Sequence, residues 1–332
     1  VPILDAAIGK LVRLTGGFDV CCTNPAAERA LRQFLKSVNV GRGQVGIESF
    51  LAAFLQSMLV YGRAVGEMVV GGNEIAAVLW GDVTKLYVQE GNSPMDFAFG
   101  QWQDAEVKIF PRQNLILFAA WNPDEENPYG TSVFRSMPFL VDVLLKIYST
   151  IGTNWERAGN VRYSVVYKPG DASGQIDAQE RSEQIAEQWS QAMQESRHGV
   201  VRDFVAVGDV QIKVIGADGQ ILDSEVPVRQ ILEQLVAKTG LPPFLLGLNW
   251  ASTERMSAQQ TDLLTSELWA IRRTVEPVLL RICRLWMQLH GYAEEPEIVW
   301  DEISLQDIVE QAHAALYRAQ AEKLTAEQEE TT

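Results

Sequence analysis

The residues able to do chemistry are few: three histidines, three cysteines and scattered acids. His198, His290 and His313 fall at or near helix ends or on polar helical stretches, and none stands in a spacing that completes a metal site. His290 precedes Gly291 and reads as a last-turn residue favoured by the helix dipole. Cys21 and Cys22 are adjacent and cannot bridge at ordinary geometry. Cys283 lies in a helical pattern, the count is odd, and no zinc spacing is present. All three read as reduced, inert thiols. Asp124-Glu125-Glu126 and Asp301-Glu302 could act as general acid and base or hold a divalent ion. Consecutive acids of this kind more simply form a solvated loop and a solvated face. Gly170 and Gly174 lack the Gly-Lys-Ser/Thr ending that cradles phosphate. Gly41, Gly43 and Gly46 read as lying between two helices, not after a strand, so they form no dinucleotide fingerprint. We expect no catalytic residue, no metal and no cofactor.

The chain's elements are more informative than its reactive groups. Val228, Ile231, Leu232, Leu235 and Val236 form one apolar helical face, and Gly240 with Pro242-Pro243 ends that helix. A polar loop follows, then a helix of more than thirty residues. Its apolar stripe is Leu264, Leu268, Ile271, Val275, Val278, Ile282, Trp286 and Leu289. Pro277 lacks an amide hydrogen and crowds the carbonyl of Arg273, which predicts a bend there. A third strong helix is expected over 136–158, with Asp142 and Lys146 as an i, i+4 pair. Its apolar residues almost surround it, so it is either a core helix or one packed between copies of the chain. The same choice applies to residues 228–236 and to Trp286.

Residues 1–62 read as helical. Asn24-Pro25 caps one helix, and a second runs from about 45 to 61 and closes at Gly62. Residues 64–70 and 75–80 form a hairpin around Gly71-Gly72-Asn73. Strands are expected at 84–89, 107–110 and 114–120. Between 161 and 225 the pattern is strand 163–167, a helix from Asp177, then strands 204–207 and 211–215.

Length and composition set wider bounds. With 332 residues, 47% hydrophobic, the chain can build two or three domains with packed cores. Nine Trp is a high count, and large aromatics anchor cores and interfaces. The formal charge is −15. Eleven acids and two bases from Gly291 on give −9, which leaves −6 for the preceding residues. A tight nucleic-acid binder would carry a basic patch, so any DNA contact should be loose. The longest apolar run, 137–151, is interrupted by Asp142 and Lys146 and is too short to span a bilayer. No signal peptide is seen, and no membrane role is expected. The chain opens on Val1, not Met, so we expect residues before it.

In order along the chain, several segments resemble bacteriophage portal proteins of the long-tailed phage type. YGRAVGEMVV (61–70) is similar to the start of the family's wing sheet. NPYGTSVFRSMPFLVDVLLKIYSTIGTNWERAGNVR (127–162) is similar to its Gly-x-Ser segment and first stem helix. EQLVAKTGLPPFLLG (233–247) resembles the second stem helix and its Gly-x-Pro-Pro segment. STERMSAQQTDLLTSELWAIRRTVEPVLLRICRLW (252–286) resembles the long, proline-containing helix. The resemblance covers roughly residues 45–310, and its weight lies in the order of the motifs.

The resemblance implies an α+β portal-like subunit with a helical and β wing over 1–135 and a stem helix over 136–160. A small α/β clip over 161–225 and a second stem helix over 226–246 follow. The tunnel loop would span 247–256, the long kinked wing helix 257–290, and an acidic crown-like region 291–332. It implies a homo-oligomeric ring, typically a dodecamer, at one capsid vertex. The partners would be terminase, a head-tail adaptor, the major capsid protein, and double-stranded DNA passing through without sequence reading. Location would be the virion, and the host cytoplasm during assembly. Leu248, Asn249, Trp250, Ala251, Ser252, Thr253, Glu254 and Arg255 would face DNA. Lys146, Trp155, Arg157, Ile231 and Leu235 would belong to the stem, and Pro277 to the kink. Two other readings compete: a metal-dependent hydrolase or nucleic-acid enzyme using the Asp/Glu clusters, and a monomeric acidic adaptor. A closed ring needs two different sticky faces per subunit, and the several apolar helices can supply them.

Overall fold

The computed structural model describes residues 1–91, 96–103, 106–159, 162–168, 183–191, 209–215, 224–248 and 254–303, with helical positions at 180 and 194. The chain forms two compact units. One comprises Val1–Val141 with the chain from Gln230 on, and the other is Asp142–Arg229.

The first unit packs several helices and a five-stranded sheet around one core. Helix α1 (Pro2–Thr15) opens the chain, followed by strand β1 (Phe18–Cys21) and helix α2 (Pro25–Ser37). The Asn24 carboxamide oxygen accepts from Ala26 and Ala27 N–H, with Pro25 at the first helical position. Those first amides have no partner inside a helix, which is why Asn-Pro starts one. Strands β2 (Asn39–Gly41) and β3 (Gln44–Val45) make a tight hairpin. Helix α3 (Ile47–Tyr61) follows and closes at Gly62, whose φ is 80°.

Strands β4 (Arg63–Gly71) and β5 (Glu74–Trp80) form the expected hairpin. Strands β6 (Leu86–Glu90), β7 (Phe97–Gln103) and β8 (Glu106–Ile109) form a separate three-stranded meander. Strand β9 (Ile116–Ala120) returns to pair with β4. The larger sheet has the order β3-β2-β5-β4-β9, with β2 parallel to β5 and the remaining neighbours antiparallel. Phe50, Phe54 and Met58 of α3 are wholly buried. A Cβ at Gly66 of β4 would sit 2.9 Å from the Phe50 ring, so only glycine lets the helix lie this close.

Helix α4 (Pro138–Gly159) leaves this unit, and helix α5 (Glu225–Thr239) returns to it; the division between units falls inside both. Helix α6 (Glu254–Leu289) runs 36 residues with Pro277 inside it. Its predicted stripe is the buried one: Leu264, Leu268, Ile271, Val275, Val278 and Ile282 join the same core as α1, α2 and α3. Pro277 is exposed, where a missing amide hydrogen offends no buried partner.

In the second unit, strands β10 (Arg162–Lys168) and β11 (Asp209–Ile215) pair in register, Tyr163 opposite Val214 and Val165 opposite Ile212. Residues 183–191 are helical. The strand expected at 204–207 and the helix start at Asp177 lie outside the described residues.

Three parts of the fold differ from the sequence expectation. Residues 1–62 are not all helical. β1 forms because strand β12 (Glu297–Trp300), from the far end of the chain, pairs with it antiparallel. Gly41 and Gly43 belong to a strand hairpin, with Gly43 at φ 72°. Strand β7 was not expected at all. It is the middle strand of its meander, held between β6 and β8, and its polar Gln101 and Gln103 dilute the alternation that would have shown it.

Candidate functional site

Among the described residues, helix α4 carries several exposed large apolar side chains. Its sequence is a good helix former opened by Pro138, and nothing breaks it for 22 residues. Leu144 is wholly buried. Four other large apolar side chains face out: Phe139 is 75% exposed, Trp155 65%, Leu145 51% and Tyr148 44%. Burying such a side chain stabilises by about 1.5–3 kcal/mol, so leaving four in water forgoes several kcal/mol. At about 100° per residue Leu145, Tyr148 and Trp155 share one side of the helix, and an exposed apolar group of this kind marks a contact surface more often than an accident.

The other two candidates for inter-copy packing turn out to be core. Ile231, Leu235 and Val236 of α5 are buried. Trp286 is 5% exposed and stacks on Phe34 at 5.8 Å and on the His290 ring at 4.0 Å. His290 also holds the Trp286 carbonyl through Nδ1 at 2.9 Å. Of the stem residues named from sequence, Lys146 and Trp155 are therefore exposed, Ile231 and Leu235 are internal, and the Arg157 side chain lies outside the described residues. Lys146 forms no ion pair with Asp142; both point to solvent, where such a pair gains little.

Round the helix from Leu145, Tyr148 and Trp155, a cavity of about 340 Å³ opens between α4 and the start of α5. Val143, Ile147, Thr150, Ile151, Asn154 and Pro227 line it, with Lys146 at its rim.

The polar segment before α6 is described only at its edges. Gly247, at φ 76°, ends a short 3-10 turn over Pro243–Leu246. Leu248 N–H donates to the Pro243 carbonyl at 3.1 Å. Asn249, Trp250, Ala251, Ser252 and Thr253 lie outside the described residues. Glu254 and Arg255 fall in the first turn of α6, so the helix begins three residues before the expected position 257.

The reactive groups have structural surroundings. Cys283 is buried and its thiol is pushed up to about 12 by burial, with Cys22 nearby adding to the shift. Cys22 is raised by burial and by Glu294 and Glu28. Asp82 is held below the usual carboxylate range because Thr84 donates to it through both its hydroxyl and its amide, a turn motif at the surface. Asp124 accepts from the Asn127 amide in a similar loop turn. Among the described residues no group of His, Cys, Asp or Glu could hold a metal ion, and no helix is long and apolar enough to cross a membrane.

Sequence reasoning missed two side chains that shape the first unit. The Gln113 carboxamide bonds Phe99 N–H and C=O at 2.8 Å each and the Phe110 carbonyl at 2.7 Å, standing in for a strand. Arg272 is wholly buried inside α6. Only its place among the buried positions of the helical stripe, four residues after Leu268, could have marked it.

No protein-family model matches the chain, and no curated protein is similar to it. Solved structures do match. One is a chain in the neck of an empty gene transfer agent particle computed with C6 symmetry, with a TM-score of 0.69 at 17% identity over 97% of this chain and 86% of that one. Another is a chain in the neck of the native particle computed with C12 symmetry, with a TM-score of 0.67 at 17% identity over 96% and 85%. A weaker likeness, to an HK97 family phage portal protein from Corynebacterium diphtheriae, has a TM-score of 0.47 at 10% identity over 90% and 93%. The mixed α+β architecture expected from the sequence is the one found, and its fold is that of the particle-neck chains.

Proposed function

We propose that this chain is a portal protein: a subunit of a ring, typically of twelve copies, through which double-stranded DNA enters and leaves a capsid. In this reading 1–135 with α6 forms the wing, α4 and α5 the stem, and 161–225 the clip that meets terminase and later a head-tail adaptor. Residues 247–256 face the DNA, and 291–332 lie toward the capsid interior. The ring sits at one vertex of the major capsid protein shell in the virion and assembles in the host cytoplasm. The subunit itself does no catalysis; ATP hydrolysis belongs to a partner motor.

The observation that carries this is the apolar face of α4, open to water in a single copy. The shared fold with chains of symmetric particle necks supports it. The charge supports it as well. At −15 the chain carries an excess of acid, which disfavours a tight grip on phosphates by counterion release and lets a duplex slide.

Size measurement and negative-stain imaging of the purified chain test the proposal. A ring many-fold heavier than 37.0 kDa, with an open centre, is expected. A stable monomer at micromolar concentration overturns it. Deleting residues 249–254 should leave rings intact and impair DNA packaging or retention; normal packaging by that variant removes the loop's assigned role.

A further inference from the structure

Helix α4 carries two unlike surfaces, and their placement predicts how copies meet. At roughly 100° per residue, Leu145, Tyr148 and Trp155 gather on one side of the helix. Val143, Ile147, Ile151 and Asn154, which line the 340 Å³ cavity, centre about 120° away by the same count. The first set projects: its members are 51%, 44% and 65% exposed. The second set is half-buried and recessed against Pro227 of α5.

We infer that the projecting rings of α4 in one copy fill the α4–α5 cavity of the next copy, so that the stem contact is head-to-tail. This rests on the ring reading above and specifies the two faces that close the ring. The occupant is a second copy for two reasons. The chains that share this fold come from necks computed with C12 and C6 symmetry, so a repeated subunit must both offer a face and receive one. The chain also presents the matching pair itself, aromatic knobs and an apolar recess, on one helix. A two-fold contact would have to engage both faces of both copies at once, reciprocally. A heterologous contact uses each once per copy and propagates until the rotation closes. Lys146, at the cavity rim and without an ion-pair partner among the described residues, keeps its charge at the edge of the contact, where rim charges belong.

Cysteine pairing tests this on the full chain in a Cys21→Ser background, since Cys21 is the exposed native thiol. Tyr148→Cys places a thiol on the projecting face and Thr150→Cys places one in the recess. With a short bis-thiol crosslinker, the double variant should give a ladder of multimers. A mixture of the two single variants should give only mixed dimers. A double variant that stops at dimers, or homodimers from either single variant, would show a two-fold contact and overturn the inference. Rings in micrographs without any ladder would also overturn it while leaving the portal reading standing. Material that stays monomeric in micrographs would sink both. As an independent arm, Thr150→Arg fills the recess and should abolish rings with the thermal midpoint of the monomer unchanged; rings that persist count against the recess.

Discussion

The guanidinium Nε of Arg272 donates a 2.8 Å hydrogen bond to the carbonyl oxygen of Thr15, the last residue of α1. The Arg272 side chain is wholly buried. Its guanidinium carbon lies 5.0 Å from the Trp269 ring centre and 5.1 Å from that of Trp300. One cation thus ties three parts of the first unit together: α1, the long helix α6, and β12. Burial lowers its pKa, and the charge of Asp301 partly restores it. The terminal nitrogens Nη1 and Nη2 have no hydrogen-bond partner among the described residues, which leaves the Trp faces and Asp301 as their compensation.

Arg272→Ala should therefore destabilise by about 3 kcal/mol or more, through a cavity, lost stacking and an orphaned Thr15 carbonyl. Arg272→Met keeps most of the volume and removes the buried charge, so its cost should be much smaller. Urea unfolding of the two variants checks this. An equal loss in both would mean that the charge itself holds the contact.

Gly62 and Gly130 meet at the end of α3. Gly62 has φ 80°, and a Cβ there would lie 2.5 Å from the Thr131 carbonyl carbon. Gly130 has φ 92°, and its Cβ would lie 2.0 Å from the Gly62 carbonyl oxygen. Trp121 N–H bonds that same Gly62 carbonyl at 2.8 Å. Alanine at either position adds a strained φ to a clash with backbone that cannot move aside. Each substitution should lower the thermal midpoint by more than Gly72→Ala, where nothing lies within 4 Å although φ is also positive. Calorimetry of the three variants separates clash from φ strain alone.

The thiol of Cys283 predicts an alkaline loss of stability. Its folded value of about 12 stands above the ordinary 9.0, so the fold keeps the proton that the unfolded chain releases. That contribution is complete below about pH 9 and is lost as pH rises toward 12. The limiting slope is about 1.4 kcal/mol per pH unit. Cys283→Ala should flatten this decline between pH 9 and 10.5, whatever its effect at pH 7. In the native protein at pH 8, Cys21 should react with iodoacetamide first, with Cys283 protected until unfolding.

Pro277 stands exposed in the interior of α6, where proline costs about 3 kcal/mol relative to alanine in a regular helix. Pro277→Ala should raise the urea midpoint of the chain. If, in the proposed ring, a bend at Pro277 carries motion to the loop before α6, the same variant should also slow DNA packaging. A lower midpoint would show that the proline ring makes contacts worth more than the hydrogen bond it removes.

What the sequence determined was every element whose signal is local and periodic. The 3.6-residue stripe of α6, the Asn24-Pro25 cap of α2, the Gly62 stop of α3 and the Gly71-Gly72-Asn73 hairpin are written in neighbouring residues. Backbone geometry reads such residues directly. Tertiary structure decided what depends on residues far apart in the chain. Phe18–Cys21 is a strand only because Glu297–Trp300 lies beside it. The apolar helices 138–159 and 225–239 looked alike in sequence. Packing buries Ile231 and Leu235 of one and leaves Trp155 and Leu145 of the other in water. Periodicity states that a face is apolar; only the arrangement of the other elements decides whether something covers it.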